Sequence, residues 1–207
     1  MTMVEFYFDL SSPWTYLAFH NIQPIIAEND AEIIWKPFLV GGVFNAVNQD
    51  VYAARENPDN RKFVHSFRVL KDWAKLAGLP MNFPSEHHPV KSVHGMRLCC
   101  ALEEDQAALH KFATAAFAAY YGDQRNLDDR SVLITIANEV DLDGEALAAR
   151  IQEQDVKDRL RANTEEAIAR GAYGSPSIFV PFEDGERMYF GNDQLPLVNW
   201  AIKQGSI

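Results

Sequence analysis

Ser11 and Ser12 stand directly ahead of Pro13, where the apolar run VEFYF has ended and a helical pattern begins. A serine at that place caps the helix, its hydroxyl accepting a first-turn N–H that has no partner within the helix. Proline suits the first helical position because its missing N–H costs nothing there. The same hydroxyl, with the positive end of the helix behind it, is also able to hold an anionic group. Spacing alone leaves both roles open for Ser12, and Ser11 is the competing hydroxyl, one place farther from Pro13.

Other reactive side chains are less organised. His87 and His88 lie between Pro84 and Pro89 with no cysteine at ligand spacing, and Glu86 is too close to complete a site. The remaining histidines are scattered, so no metal is expected. Cys99 and Cys100 are neighbours in a helical stretch, point apart, and read as core residues. GGVFNA lacks the phosphate-loop pattern, so Gly41-Gly42 is read as a turn. Trp14, Phe44 and Tyr7 are candidates either for an aromatic pocket or for the core.

The elements that must position these residues follow from periodicity. MVEFYF is apolar at nearly every position, as in a strand covered on both faces. Residues 13–28 read as a helix that Pro24 should bend, and EIIWKPFL as a second strand, giving a βαβ unit. From about residue 59 to 171 the pattern is helical, with Gly78 and Gly171 as stops and Asp129, Asp143 and Asp155 as starts. PSIFVPF and RMYFGN are two short strands joined through EDG, and DQLPLVNWAIKQG is a final helix.

The chain has 207 residues, 47% of them hydrophobic, which fits one domain with an insertion or two small domains sharing a face. A net charge of −10 without a basic cluster disfavours nucleic acid and anionic membrane surfaces. No apolar run is long enough to span a membrane. Two adjacent cysteines and no secretory pattern at the N-terminus lead us to expect a reducing, cytoplasmic setting.

The order β-α-β, helical insertion, β-β-α is the thioredoxin plan interrupted by a helical domain. FYFDLSSPWTYLA resembles the N-terminal signature of the 2-hydroxychromene-2-carboxylate isomerases and kappa-class glutathione transferases. KPFLVGGVF, YGSPSIFV and YFGNDQL resemble three later blocks of the same group, in order. Both belong to the DsbA-like branch of the thioredoxin superfamily. The resemblance implies an α/β thioredoxin-like domain from residues 1–58 and 172–207, with an all-helical domain at 59–171 inserted.

The disulfide oxidoreductases of that branch begin this helix with C-x-x-C, whereas here the stretch is Ser12-Pro13-Trp14-Thr15, and neither end can form a disulfide. The resemblance therefore implies a borrowed thiol, that of glutathione, resting on Ser12. Such a thiol ordinarily titrates near ~8.5. A hydrogen bond to a charged acceptor (about 1.5–3 kcal/mol) and a helix end (about 0.3–1 kcal/mol) would lower that.

Carried over position by position, Ser175 should offer its main chain to the cysteinyl part ahead of a cis Pro176, whose geometry leaves the Ser175 N–H and C=O available. Asn192 and Asp193 match contacts to the γ-glutamyl end, Asn48 a contact near the glycyl end, and Lys62 a contact to a ligand carboxylate. The implied activity is glutathione-dependent isomerisation of a 2-hydroxychromene-2-carboxylate-like compound, with a small aromatic or unsaturated substrate and a homodimeric assembly. A kappa-type transferase and a non-catalytic glutathione-binding protein are the alternatives.

Overall fold

The computed structural model describes residues 1–51 and 60–205, so the expected boundary at 58–59 lies outside the described residues. Strand β1 (Met3–Phe8) leads into helix α1 (Pro13–Glu28) and strand β2 (Glu32–Pro37). The two strands pair in parallel, Val4 opposite Ile33 and Phe6 opposite Trp35. After the helices, β3 (Ser177–Phe182) and β4 (Gly185–Phe190) form an antiparallel hairpin, and β3 also runs antiparallel to β1. The sheet order is β2-β1-β3-β4, the expected thioredoxin-like plan.

β1 is apolar at nearly every position because both its faces are covered, the exception being Glu5, which pairs with Arg170. Val4, Phe6 and Phe8 enter one core with Phe19, Trp35 and Phe117, while Tyr7 enters a second with Phe38, Val43 and Phe179. The rings meet mostly edge to face, Phe6 to Trp35 at 5.1 Å and Tyr7 to Phe179 at 5.4 Å. Tyr7 thus lies on the far side of the sheet from Ser12's helix and belongs to the core.

Between β2 and β3 come α2 (Val40–Val47), α3 (Arg61–Ala77), α4 (Val93–Ala101), α5 (Gln106–Phe117) with a π-helical turn at Ala118–Gly122, α6 (Arg130–Glu139), α7 (Gly144–Arg150) and α8 (Gln154–Ala169). Helix α9 (Leu195–Gly205) closes the fold. The larger core is continuous from the sheet into these helices through Met96, Cys99, Phe112 and Leu133. The helical stretch is therefore inserted in topology but shares its interior with the sheet.

Local chemistry sets the helix ends. Asp129 caps α6 by accepting the Ser131 N–H, and Asp143 caps α7 through the Ala146 N–H. Asp155 is not a cap: Glu153 holds that place in α8, and Asp155 instead pairs with Arg150 at 3.1 Å. Asn60 and Asp105 cap α3 and α5.

Gly41-Gly42, expected as a turn, lies inside α2. A Cβ on Gly42 would come within 3.1 Å of Thr164 Cγ2, so the small residue permits close approach of α2 and α8. The glycines serve helix packing, a use that their sequence pattern does not distinguish from a turn.

Candidate functional site

Ser12 does cap α1. With extended backbone angles it accepts the Thr15 N–H on Oγ at 3.2 Å, and Pro13 follows as the first helical residue. The same hydroxyl donates to the carbonyl oxygen of Ser175 at 2.9 Å. The Ser175–Pro176 bond is cis, as expected. Ser175 is pinned from its side chain as well: its Oγ accepts the Asp9 N–H at 3.0 Å and shares a hydrogen bond with Thr15 Oγ1 at 2.8 Å. Ser12, Ser175 and Pro176 are thus brought together, but the carbonyl expected to be available is taken by Ser12.

Asp9, which the sequence shows only as the end of a strand, organises the neighbourhood. It is fully buried, and its two oxygens accept the Ser11 N–H at 2.9 Å and the Val40 N–H at 2.8 Å. The hydroxyls of Ser92 and Ser11 also bond to it. Burial raises the Asp9 pKa, and these hydrogen bonds pull in the opposite direction. Ser11 therefore turns to Asp9 and leaves Ser12 as the hydroxyl at the helix end.

A cavity of about 270 Å³ opens beside Ser12. Phe63, Phe67 and Phe83 form one wall, with Phe67 stacked on Phe83 at 5.3 Å. Trp14, Phe44 and Phe190 complete an aromatic lining, and Ser66 and His88 add polar groups. Phe83 meets the His88 ring edge to face at 4.7 Å. A second hollow of about 350 Å³ shares Ser11, Val40, Phe44 and His88 with the first and continues to Lys91. In the sequence Phe63, Phe67 and Leu70 show only helical spacing, and His88 lacks partners at metal-ligand spacing. Nothing there signals that this helical face borders a hollow.

The other expected residues do not line this cavity, and Asn192 borders a separate hollow with Asn21 and Trp73. The cis-proline loop reaches the last turn directly, since the Gly191 N–H donates to Pro176 O at 3.3 Å. Asn192 is 1% exposed; its Oδ1 accepts from Asn21 at 2.8 Å, and its Nδ2 is buried without a hydrogen-bond partner among the described residues. Asp193 is exposed just before α9. Asn48 ends α2 and donates to Tyr173 O at 2.9 Å, two residues before Ser175. Lys62 lies exposed in the first turn of α3, next to Phe63 but outside the described cavity wall.

Cys99 and Cys100 are free and buried in α4, and burial pushes both thiols upward in pKa. They are inert core residues as far as thiolate chemistry is concerned. Among the described residues no His, Cys, Asp and Glu cluster could hold a metal ion, and no helix is long and apolar enough to cross a membrane.

A mixed sheet carrying a capped helix against a cis-proline loop defines a thioredoxin-fold protein, here with Ser12 and Thr15 and no cysteine at the start of that helix. The chain belongs to the DSBA-like thioredoxin domain family, whose model matches residues 3–203. It is 25% identical over 206 residues to the 2-hydroxychromene-2-carboxylate isomerase of Pseudomonas sp. (strain C18), covering 98% of this chain and 91% of that protein. It is likewise 25% identical to glutathione S-transferase kappa 2 of Caenorhabditis elegans, over 95% and 89% of the two chains. A solved 2-hydroxychromene-2-carboxylate isomerase superposes with a TM-score of 0.79 at 23% identity, covering 97% and 94% of the two chains.

Proposed function

We propose that the protein is a glutathione-dependent isomerase of a 2-hydroxychromene-2-carboxylate-like aromatic compound, working by reversible thiolate addition. One observation carries this reading: α1 starts on Ser12, with no cysteine in its first turn, and Ser12 borders an aromatic cavity. A thiol must then be brought in, and the relatives include both isomerases and kappa-class glutathione transferases.

The residues present fit glutathione. Ser12 supplies a hydroxyl donor at the positive end of α1. The buried Asn192 Nδ2 without a partner is a donor awaiting an acceptor such as the carboxylate of the γ-glutamyl end. Ser175 and Pro176 would hold the cysteinyl part, Asp193 the ammonium of the γ-glutamyl part, Asn48 the glycyl end, and Lys62 a ligand carboxylate. When bound, glutathione supplies a nucleophilic sulfur that adds to a conjugated carbon, lets the former double bond rotate, and leaves unchanged on elimination.

The chain's own contribution is electrostatic and positional. Ser12 favours the ionised sulfur by hydrogen bonding. The aromatic walls exclude water and align the acceptor ring, with the His88 side chain bordering the same space. The two buried, reduced cysteines suit a reducing, glutathione-rich cytoplasm. Homodimers are common in the group it resembles, and we extend that assembly to this chain.

A kappa-type transferase, in which the adduct is retained, is the second reading, favoured by an equal identity to a kappa-class relative. Assaying the pure protein with chromene carboxylates and haloaromatics, with and without glutathione, separates the readings. Isomerisation without net thiol loss is expected. Stoichiometric thiol consumption would assign the transferase, and binding without turnover would leave a non-catalytic protein.

A further inference from the structure

We infer that the Ser175 carbonyl selects which thiols Ser12 activates: only a thiol that brings its own N–H to that carbonyl releases the Ser12 proton to the sulfur. This rests on the glutathione reading above. Ser12 has one hydroxyl proton, and it is already committed to Ser175 O at 2.9 Å. Its lone pairs take the Thr15 N–H at 3.2 Å, a contact that persists whichever way the proton points. Favouring an ionised sulfur therefore requires the proton to rotate about the Cβ–Oγ bond, away from the carbonyl, with no heavy atom moving.

That rotation has an opposing cost. Ser175 is only 5% exposed, and Ser12 is the donor the described residues give its carbonyl. A buried carbonyl left without a donor loses free energy of the same order as a hydrogen bond to a charged group gains. For a thiol with no other polar group the two effects nearly cancel, so the thiol stays close to its ordinary acidity. A ligand with an N–H that reaches Ser175 O removes the cost, and the whole Ser12 bond then acts on sulfur.

Ser175 cannot retreat to accommodate a different ligand. Its Oγ is held by the Asp9 N–H and by Thr15 Oγ1, and Pro176 O by the Gly191 N–H. The carbonyl is a fixed gauge beside the Ser12 hydroxyl, and the ligand class it admits is a cysteinyl peptide rather than a simple alkyl thiol. The residue acts through its backbone oxygen, which explains why its side chain is spent on anchoring.

The test compares glutathione with its depsipeptide analogue, in which an ester oxygen replaces the N–H of the γ-glutamyl–cysteinyl amide. Thiolate absorbance and proton release on binding are measured across neutral pH for the wild type and Ser12→Ala. A weakly binding analogue is also read by kcat/KM, which needs no saturation. With glutathione, Ser12→Ala should reduce the bound thiolate-to-thiol ratio about ten- to hundredfold. With the analogue, the same substitution should change it less than about threefold. An equal loss for both thiols would overturn the inference and leave the glutathione reading standing. Absence of any glutathione binding would instead remove that reading.

Discussion

The Asp9 carboxylate accepts the first N–H of α2, that of Val40, at 2.8 Å while its other oxygen accepts the Ser11 N–H at 2.9 Å. One buried group thereby joins the loop that presents Ser12 to a helix that walls the cavity. Burial raises its pKa in the folded state despite these bonds. A raised carboxyl contributes stability that is present below the unfolded value, near ~3.9, and lost as pH rises through the folded value.

Asp9→Asn cannot titrate, so the stability difference between wild type and mutant should shrink as pH rises across that interval. Urea unfolding of both proteins at a series of acidic to neutral pH values measures it. A difference that grows with pH would mean that the hydrogen bonds outweigh burial.

Ser12→Ala should lower glutathione-dependent turnover about ten- to hundredfold, since a hydrogen bond to a charged group is worth about 1.5–3 kcal/mol. It also removes the α1 cap. Cap loss costs about 1 kcal/mol, or about 2–4 °C in Tm for a chain of this size. Steady-state kinetics and a melting curve separate the two effects. A lowered Tm with unchanged turnover would assign Ser12 to capping alone.

Much of the fold was legible because its punctuation is local. Pro13, Gly78 and Gly171 end or begin elements where the sequence places them, and the apolar run in β1 foretells burial on both faces. The site was legible only along its spine of Ser12, Ser175 and Pro176. Phe63, Phe67 and Leu70 recur at helical spacing, and that period is the same whether the face meets a core or a hollow. Asp9 lies at a strand end, where an acidic residue reads as a boundary. Its role depends on Val40 and Ser92, which only the folded chain brings near.

Asp193→Asn should weaken glutathione binding by about tenfold or more while leaving the bound thiol's acidity unchanged. Loss of a charged partner for an ammonium carries a penalty of that order, whereas the γ-glutamyl end lies away from sulfur. Calorimetry for affinity and thiolate absorbance for acidity give the two readings. Normal affinity in the mutant would remove Asp193 from the binding set.

Gly174→Ala should disturb the cavity from outside it. A Cβ there would lie 2.6 Å from Phe190 Cε2, and the Phe190 ring borders the cavity while resting 4.7 Å from Tyr173. The ring must shift, and overpacking of this kind costs about 1–3 kcal/mol. We expect a lower Tm together with an altered KM for the aromatic acceptor and little change in glutathione affinity. A mutant with wild-type stability and KM would show that Phe190 yields without affecting the acceptor space.

Ser12→Cys tests the direction of residue 12 most directly. The new thiol would stand at the N-terminus of α1, near the Thr15 N–H and the Ser175 carbonyl. A helix N-terminus stabilises thiolate, so its pKa should fall below the usual ~8.5. It should form a mixed disulfide with oxidised glutathione, by thiolate attack on one sulfur and departure of the other as glutathione thiolate. Thr15 occupies the place of a resolving cysteine but is fully buried and bonded to Ser175 Oγ, so the single mutant should stop at the adduct. Release by an internal disulfide should require Thr15→Cys as well. Absorbance titration gives the thiol pKa and mass spectrometry the adduct. An ordinary pKa with no adduct would place residue 12 away from the ligand and overturn its assigned role.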